Sequence, residues 1–327
     1  MKKVRKRIVS LVMLAVLCIA GSAWADGDPG TVYRVVSKKA RVYGLGDTGY
    51  LIEDYHLYFI PEATVEQAES FNQVMAGFPD VRTYVYLVNS SRTIDFDHMD
   101  RVPPLEAVLR ERYPNSAVDC LQIGTFDDYC RYFYKTDHHW NYKGSYQGYT
   151  QIIRMMLGED EPLLEPVETV EFPVMYNGSL NKLMQRTDSD EPFTVYRFDF
   201  PPMTVSINGA KKAAYGKQDA YFKGKYNRTA PLTNHYGEFY GGDKALVAFS
   251  TGDESKENII VFSNSFSNAV DMLIASHFQN TYFVDLRHYY EVYERLFSLS
   301  NAIRDWKITK VLMLGDGYFF KSGAHYR

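Results

Sequence analysis

Ile259-Ile260-Val261-Phe262-Ser263-Asn264-Ser265-Phe266-Ser267-Asn268-Ala269 is the stretch on which the reading of the fold turns. Its first four residues form a buried-type strand that stops abruptly at small polar residues, as a strand does when it ends in an active-site turn. Apolar positions then return at helical spacing over 270–278, with Ala269, Leu273, Ile274 and His277 along one side. Tyr282-Phe283-Val284-Asp285 reads as the next strand, 289–306 as a helix, and 309–314 as a strand running into Gly315-Asp316-Gly317. This strand-turn-helix repetition argues for an α/β protein with a parallel sheet. In such sheets functional groups collect where strands end.

Working back toward the N-terminus, 64–76 carries Val65, Ala68, Phe71, Val74 and Met75 on one helical face behind a Thr64 cap. The alternating strand over 81–88 follows and breaks at Asn89-Ser90-Ser91-Arg92. Short helices over 104–113 and 126–134 flank a strand over 118–121, and 146–157 shows a helical apolar stripe. The region 162–257 differs in character, with short alternating runs, Pro201-Pro202 and several glycines. It reads as a strand- and loop-rich insertion beside the main sheet. The glycines of Gly44-Leu45-Gly46-Asp47-Thr48-Gly49 mark a turn, because no Lys-Ser/Thr or helix opening follows to make a phosphate loop.

Asp137-His138-His139-Trp140-Asn141-Tyr142-Lys143-Gly144 carries the chemistry. An imidazole moves a proton near neutral pH, and a carboxylate fixes its tautomer and stabilises its charged form. The pair needs a nucleophile, and the serines of the turn after Phe262 supply one. A serine hydroxyl is too weak an acid to attack unassisted, so the imidazole must take its proton. A helix following the turn offers free N–H groups to the oxygen of a tetrahedral intermediate. Two histidines and one acid make a poor metal set without a further clustered ligand, and no cofactor motif is present.

The two motifs together resemble a known family. Asp137-His138-His139-Trp140 looks like the Asp-x-His-Trp signature of the extracytoplasmic alginate O-acetyltransferases and spells the motif of their DHHW-type relatives. Ser265-Phe266 resembles that group's Gly-Asp-Ser-Phe nucleophile turn, with Ser263-Asn264 where Gly-Asp usually stands. The similarity runs from about residue 40 to the end of the chain. It implies an SGNH-hydrolase-like three-layer sandwich, with a central mostly parallel sheet and the acid/imidazole pair preceding the serine. Asp137 then orients, His139 is the base, His138 is the variable position, and Ser265 is acylated in preference to Ser263 or Ser267. Asn177-Gly178-Ser179-Leu180 resembles a Gly-Ser-Leu signature of the same relatives. Asn264, Gly178 and Asn89 are the candidates for the oxyanion site, and His138 and Trp140 are candidate substrate contacts. Arg287 binds an anionic or sugar group or simply pairs with Asp285.

Bulk properties narrow the class further. Charged residues at 23% and hydrophobic ones at 46% fit a globular chain of 327 residues, so disorder is not the theme. Lys2, Lys3, Arg5, Lys6 and Arg7, the apolar run 8–20 and Ala23-Trp24-Ala25 form a secretory leader over 1–25, leaving a single domain over 26–327. Removal of the leader takes five of the 36 basic residues and none of the 40 acidic ones, so the mature chain is net acidic and has no basic track for nucleic acid. Cys120 and Cys130 then remain, an even pair that suits a disulfide in an oxidising compartment.

The expected protein is a bacterial, secreted or extracytoplasmic O-acetyltransferase or esterase with an acyl-serine intermediate and a polysaccharide acceptor. By the resemblance, its acyl donor is a membrane-bound acyltransferase. The alternative is a catalytically inactive, polysaccharide-binding relative, motivated by Asn264 and by the 27 tyrosines.

Overall fold

Apolar runs separated by turns become short strands in the computed structural model, which describes residues 32–53, 64–97, 105–226, 229–321 and 326. The leader expected over 1–25 lies outside the described residues. In chain order the described strands are β1 (Tyr33–Ser37), β2 (Val42–Leu45), β3 (Leu51–Glu53), β4 (Arg82–Leu87), β5 (Ser116–Cys120), β6 (Glu168–Met175), β7 (Pro192–Arg197), β8 (Thr204–Ile207), β9 (Ala210–Lys212), β10 (Leu246–Ser250), β11 (Asn258–Ser263), β12 (Asn280–Val284) and β13 (Lys310–Gly315).

The main sheet runs β5-β4-β13-β11-β12-β10-β8-β9, and its first five strands pair parallel. β11 sits near the middle, with Val261 opposite Leu312 on one side and Phe283 on the other. Period-two alternation sends β11 side chains to both faces: Ile259 and Val261 join one apolar cluster, Ile260 and Phe262 the other. The helix Tyr142–Leu157 covers the first face with Tyr149, Ile152, Ile153 and Met156. Helices Val65–Met75, Leu105–Arg112 and Leu299–Asp305 cover the second with residues such as Phe71, Leu109 and Ile303. Three layers result, the architecture expected of the SGNH-hydrolase-like class. Truncating a fully buried side chain such as Ile260 to Ala would cost about 2–5 kcal/mol.

Several expectations are corrected. The region 162–257 is not set wholly beside the sheet: β10, β8 and β9 extend it through antiparallel pairing, while β6 and β7 form a separate ribbon. The helix expected over 289–306 is two helices, Leu286–Tyr293 and Leu299–Asp305, because Glu294 takes a left-handed conformation at φ 53° and ends the first. The helix expected over 270–278 is the shorter Asp271–Ala275, and a 3-10 turn, Ser265–Ala269, precedes it. Cys120 and Cys130 are free thiols and form no disulfide. Cys120 belongs to the cluster on one face of the sheet and Cys130 packs against the other, so the sheet stands between them. The Cys120 thiol donates instead to Glu106 Oε2 at 3.1 Å.

Candidate active site

The parallel strands all deliver their C-terminal ends to one edge, which is where the functional side chains gather. β4 leads to Arg92, β11 to Ser265, β12 to Arg287 and β13 to Asp316. Arg92, Ser265 and Arg287 face a cleft of about 640 Å³ into which His138 and His139 also project, while Asp316 stays buried behind it.

The acid/imidazole motif reaches this edge on a tight loop. Phe133 bridges to Trp140, Tyr134 N donates to His139 O, and Asn141 N donates to Tyr132 O, which pinches residues 133–141 into a hairpin-like turn. Asn141 then caps the next helix, its side chain accepting from Lys143 N and Gly144 N, so that helix starts at Tyr142, earlier than its apolar stripe suggests. Gly144 permits the close approach, since a Cβ there would lie 2.3 Å from Tyr132 O.

Ser265 Oγ lies 2.7 Å from His139 Nε2, and His139 Nδ1 lies 2.8 Å from Asp137 Oδ1. Asp137 is fully buried and collects donors on both oxygens. Oδ1 accepts from Ser179 Oγ at 2.6 Å, and Oδ2 accepts from Tyr176 OH at 2.9 Å and Ser179 N at 3.0 Å. Burial alone would raise its pKa, but the adjacent His139, with His138 and Ser179, outweighs it and holds Asp137 well below the ordinary carboxylate range. An ionised Asp137 can only accept, so His139 Nδ1 carries the hydrogen and Nε2 is bare to receive the Ser265 proton. His139 is held flat against Tyr236, with ring centroids 3.9 Å apart and planes 7° from parallel. Tyr236 OH in turn donates to Ser265 O at 3.0 Å, tying the imidazole to the Ser265 turn through a second route.

His138 lines the cleft beside the pair, its Nδ1 2.9 Å from Ser179 Oγ. Burial, Arg92 and His139 hold its pKa well below the usual histidine value, so it is neutral. Trp140 is fully buried and meets Phe266 edge-on at 5.8 Å; it packs under the site and does not line the cleft.

The three residues expected at the oxyanion site are committed elsewhere. Asn264 turns away from the cleft: Nδ2 donates to Asp316 Oδ1 at 2.9 Å, while Oδ1 and the backbone O accept from Phe266 N and Ser267 N. Gly178 N donates to Thr136 Oγ1, and its lack of a side chain lets it pass the acid loop, since a Cβ would lie 2.4 Å from Thr136 O and 2.5 Å from Asp137 Cβ. Asn89 accepts from Thr93 Oγ1 at 2.6 Å and does not line the cleft. Arg287 does line it and pairs with Asp285 (NH2 to Oδ2 2.5 Å) and Asp243 (3.0 Å), the second of the two readings of that residue.

Two clusters have the ligand types for a cation: Asp137 with His138 and His139, and Asp243 with Asp285 and His288. The first is spent on the Ser265 line and its donors. The second already has the Arg287 guanidinium between its carboxylates.

Ser179, Tyr176, Tyr236, Arg92 and Asn268 were missed from the sequence. Ser179 sat inside the signature that drew attention to Gly178, and it is the serine that touches Asp137. Arg92 lies at the break after β4 that marked a strand end. Tyr176 and Tyr236 had no local signal among so many tyrosines.

The topology and this Ser-His-Asp line define an SGNH-hydrolase-like α/β protein. Among solved structures, the chain is similar to Bacillus cereus PatB1 with a sulfonyl adduct, at 18% identity and a TM-score of 0.62 over 86% of this chain and 96% of that one. It is equally similar to a DHHW family protein from Eubacterium siraeum, at 17% identity and a TM-score of 0.61 over 90% and 97%. The O-acetyltransferase domain of Pseudomonas putida AlgJ overlays more loosely, at 12% identity and 0.47 over 86% and 92%. At these identities the likeness is one of fold. No family model matches the chain, and no curated protein matches it by sequence.

Proposed function

We propose that this chain is an extracytoplasmic O-acyltransferase or esterase that moves an acetyl group through an acyl-Ser265 intermediate, with a polysaccharide as acceptor. The observation that carries the reading is the unbroken line from Ser265 through His139 to a buried, ionised Asp137, opening on a polar cleft. Ser265 Oγ bonds to the acyl carbon while His139 Nε2 takes its proton, and the carbonyl electron pair moves onto oxygen. As the carbonyl re-forms, the bond to the donor's leaving group breaks and that group receives the proton from His139. A sugar hydroxyl, or water in an esterase, then gives its proton to His139 and attacks the acyl-serine. Ser265 leaves and is reprotonated.

The cleft's mixed lining of Glu53, Arg92, Lys182, Glu238, Asp243 and Arg287 suits a hydroxyl-rich acceptor better than an apolar one. The resemblance of the motifs supports acetyl as the group, a membrane-bound acyltransferase as the donor, and export by the leader. The sulfonyl adduct of PatB1 suggests a sulfonyl fluoride as probe. The second reading, an inactive glycan-binding relative, is motivated by Asn264 and by the tyrosines; the hydrogen-bonded line from Ser265 through His139 to Asp137 favours the enzymatic reading over it.

The test is intact mass of the purified chain after incubation with 4-nitrophenyl acetate or phenylmethanesulfonyl fluoride, beside Ser265→Ala and His139→Ala. An adduct on Ser265 that is lost in both variants is expected. Folded protein that gains no adduct and releases no acetate above background would return the assignment to a binding role.

A further inference from the structure

An acyl-serine mechanism needs a donor for the oxygen that becomes negative in the tetrahedral intermediate, and the expected donors are occupied. Asn264 Nδ2, Gly178 N, Phe266 N and Ser267 N all have partners outside the cleft. The geometry points to Asn268 as the catalytic residue that fills this role, an inference that rests on the reading of Ser265 as nucleophile.

Asn268 follows Ser265 by three positions within the 3-10 turn Ser265–Ala269. A 3-10 helix has three residues per turn, so side chains three apart eclipse one another. The two side chains therefore rise on the same side of the turn, and both line the same cleft. Asn268 is only 8% exposed, so its amide acts in a largely water-excluded setting where a charge-directed hydrogen bond is strong. Among the described residues, its one side-chain hydrogen bond runs from Nδ2 to Asp243 Oδ1 at 3.4 Å, the long limit for such a bond. A carboxylate on that side selects the NH2 end of the amide, and NH2 has two hydrogens. One is loosely held by Asp243 and the other remains for an oxygen above Ser265. Asp243 is in this arrangement a positioning residue, itself anchored by Arg287 at 3.0 Å.

The sequence drew attention to Asn264 because it stands beside the serine. Its side chain leaves on the far side and caps the turn from below. Asn268, one turn on, returns to the side of the nucleophile. The spacing that matters is the pitch of the turn: in an α-helix residues 265 and 268 would be displaced from one another by about 60°.

The experiment compares the wild-type chain with Asn268→Ala and with Asn268→Leu, which nearly keeps the size, removes the donor and sets no second carboxylate beside Asp243. Turnover of 4-nitrophenyl acetate and the rate of Ser265 sulfonylation by phenylmethanesulfonyl fluoride are both read, because a sulfonyl oxygen occupies the same position as the developing oxyanion. Loss of one such donor is expected to lower kcat by about 10²–10³-fold. KM and Tm stay near wild type, and the sulfonylation rate falls in parallel. Variants that fold, melt like the wild type and keep both rates would overturn the assignment of Asn268 while leaving the acyl-serine reading in place. A wild-type chain that neither turns over nor is labelled at Ser265 would sink both. A KM rise with kcat unchanged would make Asn268 a binding contact and overturn its role at the oxyanion.

Discussion

Asn264→Asp makes the nucleophile turn more like the Gly-Asp-Ser-Phe turn it resembles, and it is expected to damage this protein. Asn264 Nδ2 donates to Asp316 Oδ1 at 2.9 Å, with both side chains buried. A carboxylate at 264 sets two anions at that separation, and at an effective dielectric of about 20 their repulsion is about 6 kcal/mol. The pair can instead keep one proton. Holding it at pH 7, on a group that ionises near pH 3.9 in the unfolded chain, costs about 4 kcal/mol. The smaller cost wins, so the variant folds with a shared proton. The sign follows from the linkage: the folded pair keeps a proton that the unfolded chain releases, so the penalty is absent below the ordinary carboxylate range and grows as pH rises to neutrality. Thermal melts followed by circular dichroism should show Asn264→Asp melting roughly 6–10 °C below wild type at pH 7, with the gap closing toward about pH 4. Adding Asp316→Asn should recover most of the loss, because an amide again faces a carboxylate. A single variant that melts like wild type at pH 7, or a gap that does not change with pH, would refute the reasoning.

Asp137→Asn should lower kcat by about 10⁴-fold, because either orientation of the new amide points hydrogens at His139 and Ser179 or at Tyr176 and Ser179; turnover of an activated ester measures it. The same substitution should flatten the acid limb of stability. Asp137 is held below the ordinary carboxylate range, so its contribution is present above that range and lost as pH falls through its folded value, which denaturant titrations at several pH values would reveal. Gly178→Ala should cost about 1–3 kcal/mol and most of the activity, since the new Cβ meets backbone and Asp137 itself; an unchanged Tm would count against the close approach. Alkylation without reductant, read by mass, should label both Cys120 and Cys130, with Cys120 slower because burial raises its pKa and hides it.

How far the sequence could be read depended on where each signal lay. The buried run before Ser263 and the parallel neighbours that follow it were visible, because a strand buried on both faces has a local composition. The meeting of Ser265 with Asp137 and His139 was visible only through the pairing of two motifs, since residues 139 and 265 are 126 positions apart. Side-chain directions within the turn were not visible. Nothing local says that Asn264 points to Asp316 or that Asn268 points to the cleft, because the choice depends on a 3-10 pitch that no residue in the stretch announces. The disulfide failed for a related reason. Ten positions of separation satisfied the chain, but the two cysteines belong to opposite faces of the sheet. Glu294 ended a helix without glycine, so the break after Tyr293 had no composition to reveal it.

The region 162–257 shows how a segment read as an accessory comes to hold the centre. Tyr176 and Ser179 reach Asp137 from the end of β6 and the start of the next helix, and Asn177 N donates to His235 Nδ1 at 2.7 Å. That bond clamps the segment around 177 to the helix His235–Tyr240, whose first turn presents Tyr236 flat against His139. The His139 ring is therefore oriented from below by Asp137, which Tyr176 and Ser179 hold, and braced from the side by Tyr236, and Tyr176, Ser179 and Tyr236 all come from this one region. Loops between the clamps, such as the stretch carrying Leu232 and Asn234, line the cleft without touching the proton path. On the reading proposed above, a change of acceptor can be made in these loops while the Ser265–His139–Asp137 line keeps its geometry, which is the division of labour that a scaffold needs if one chemistry is to serve different acceptors.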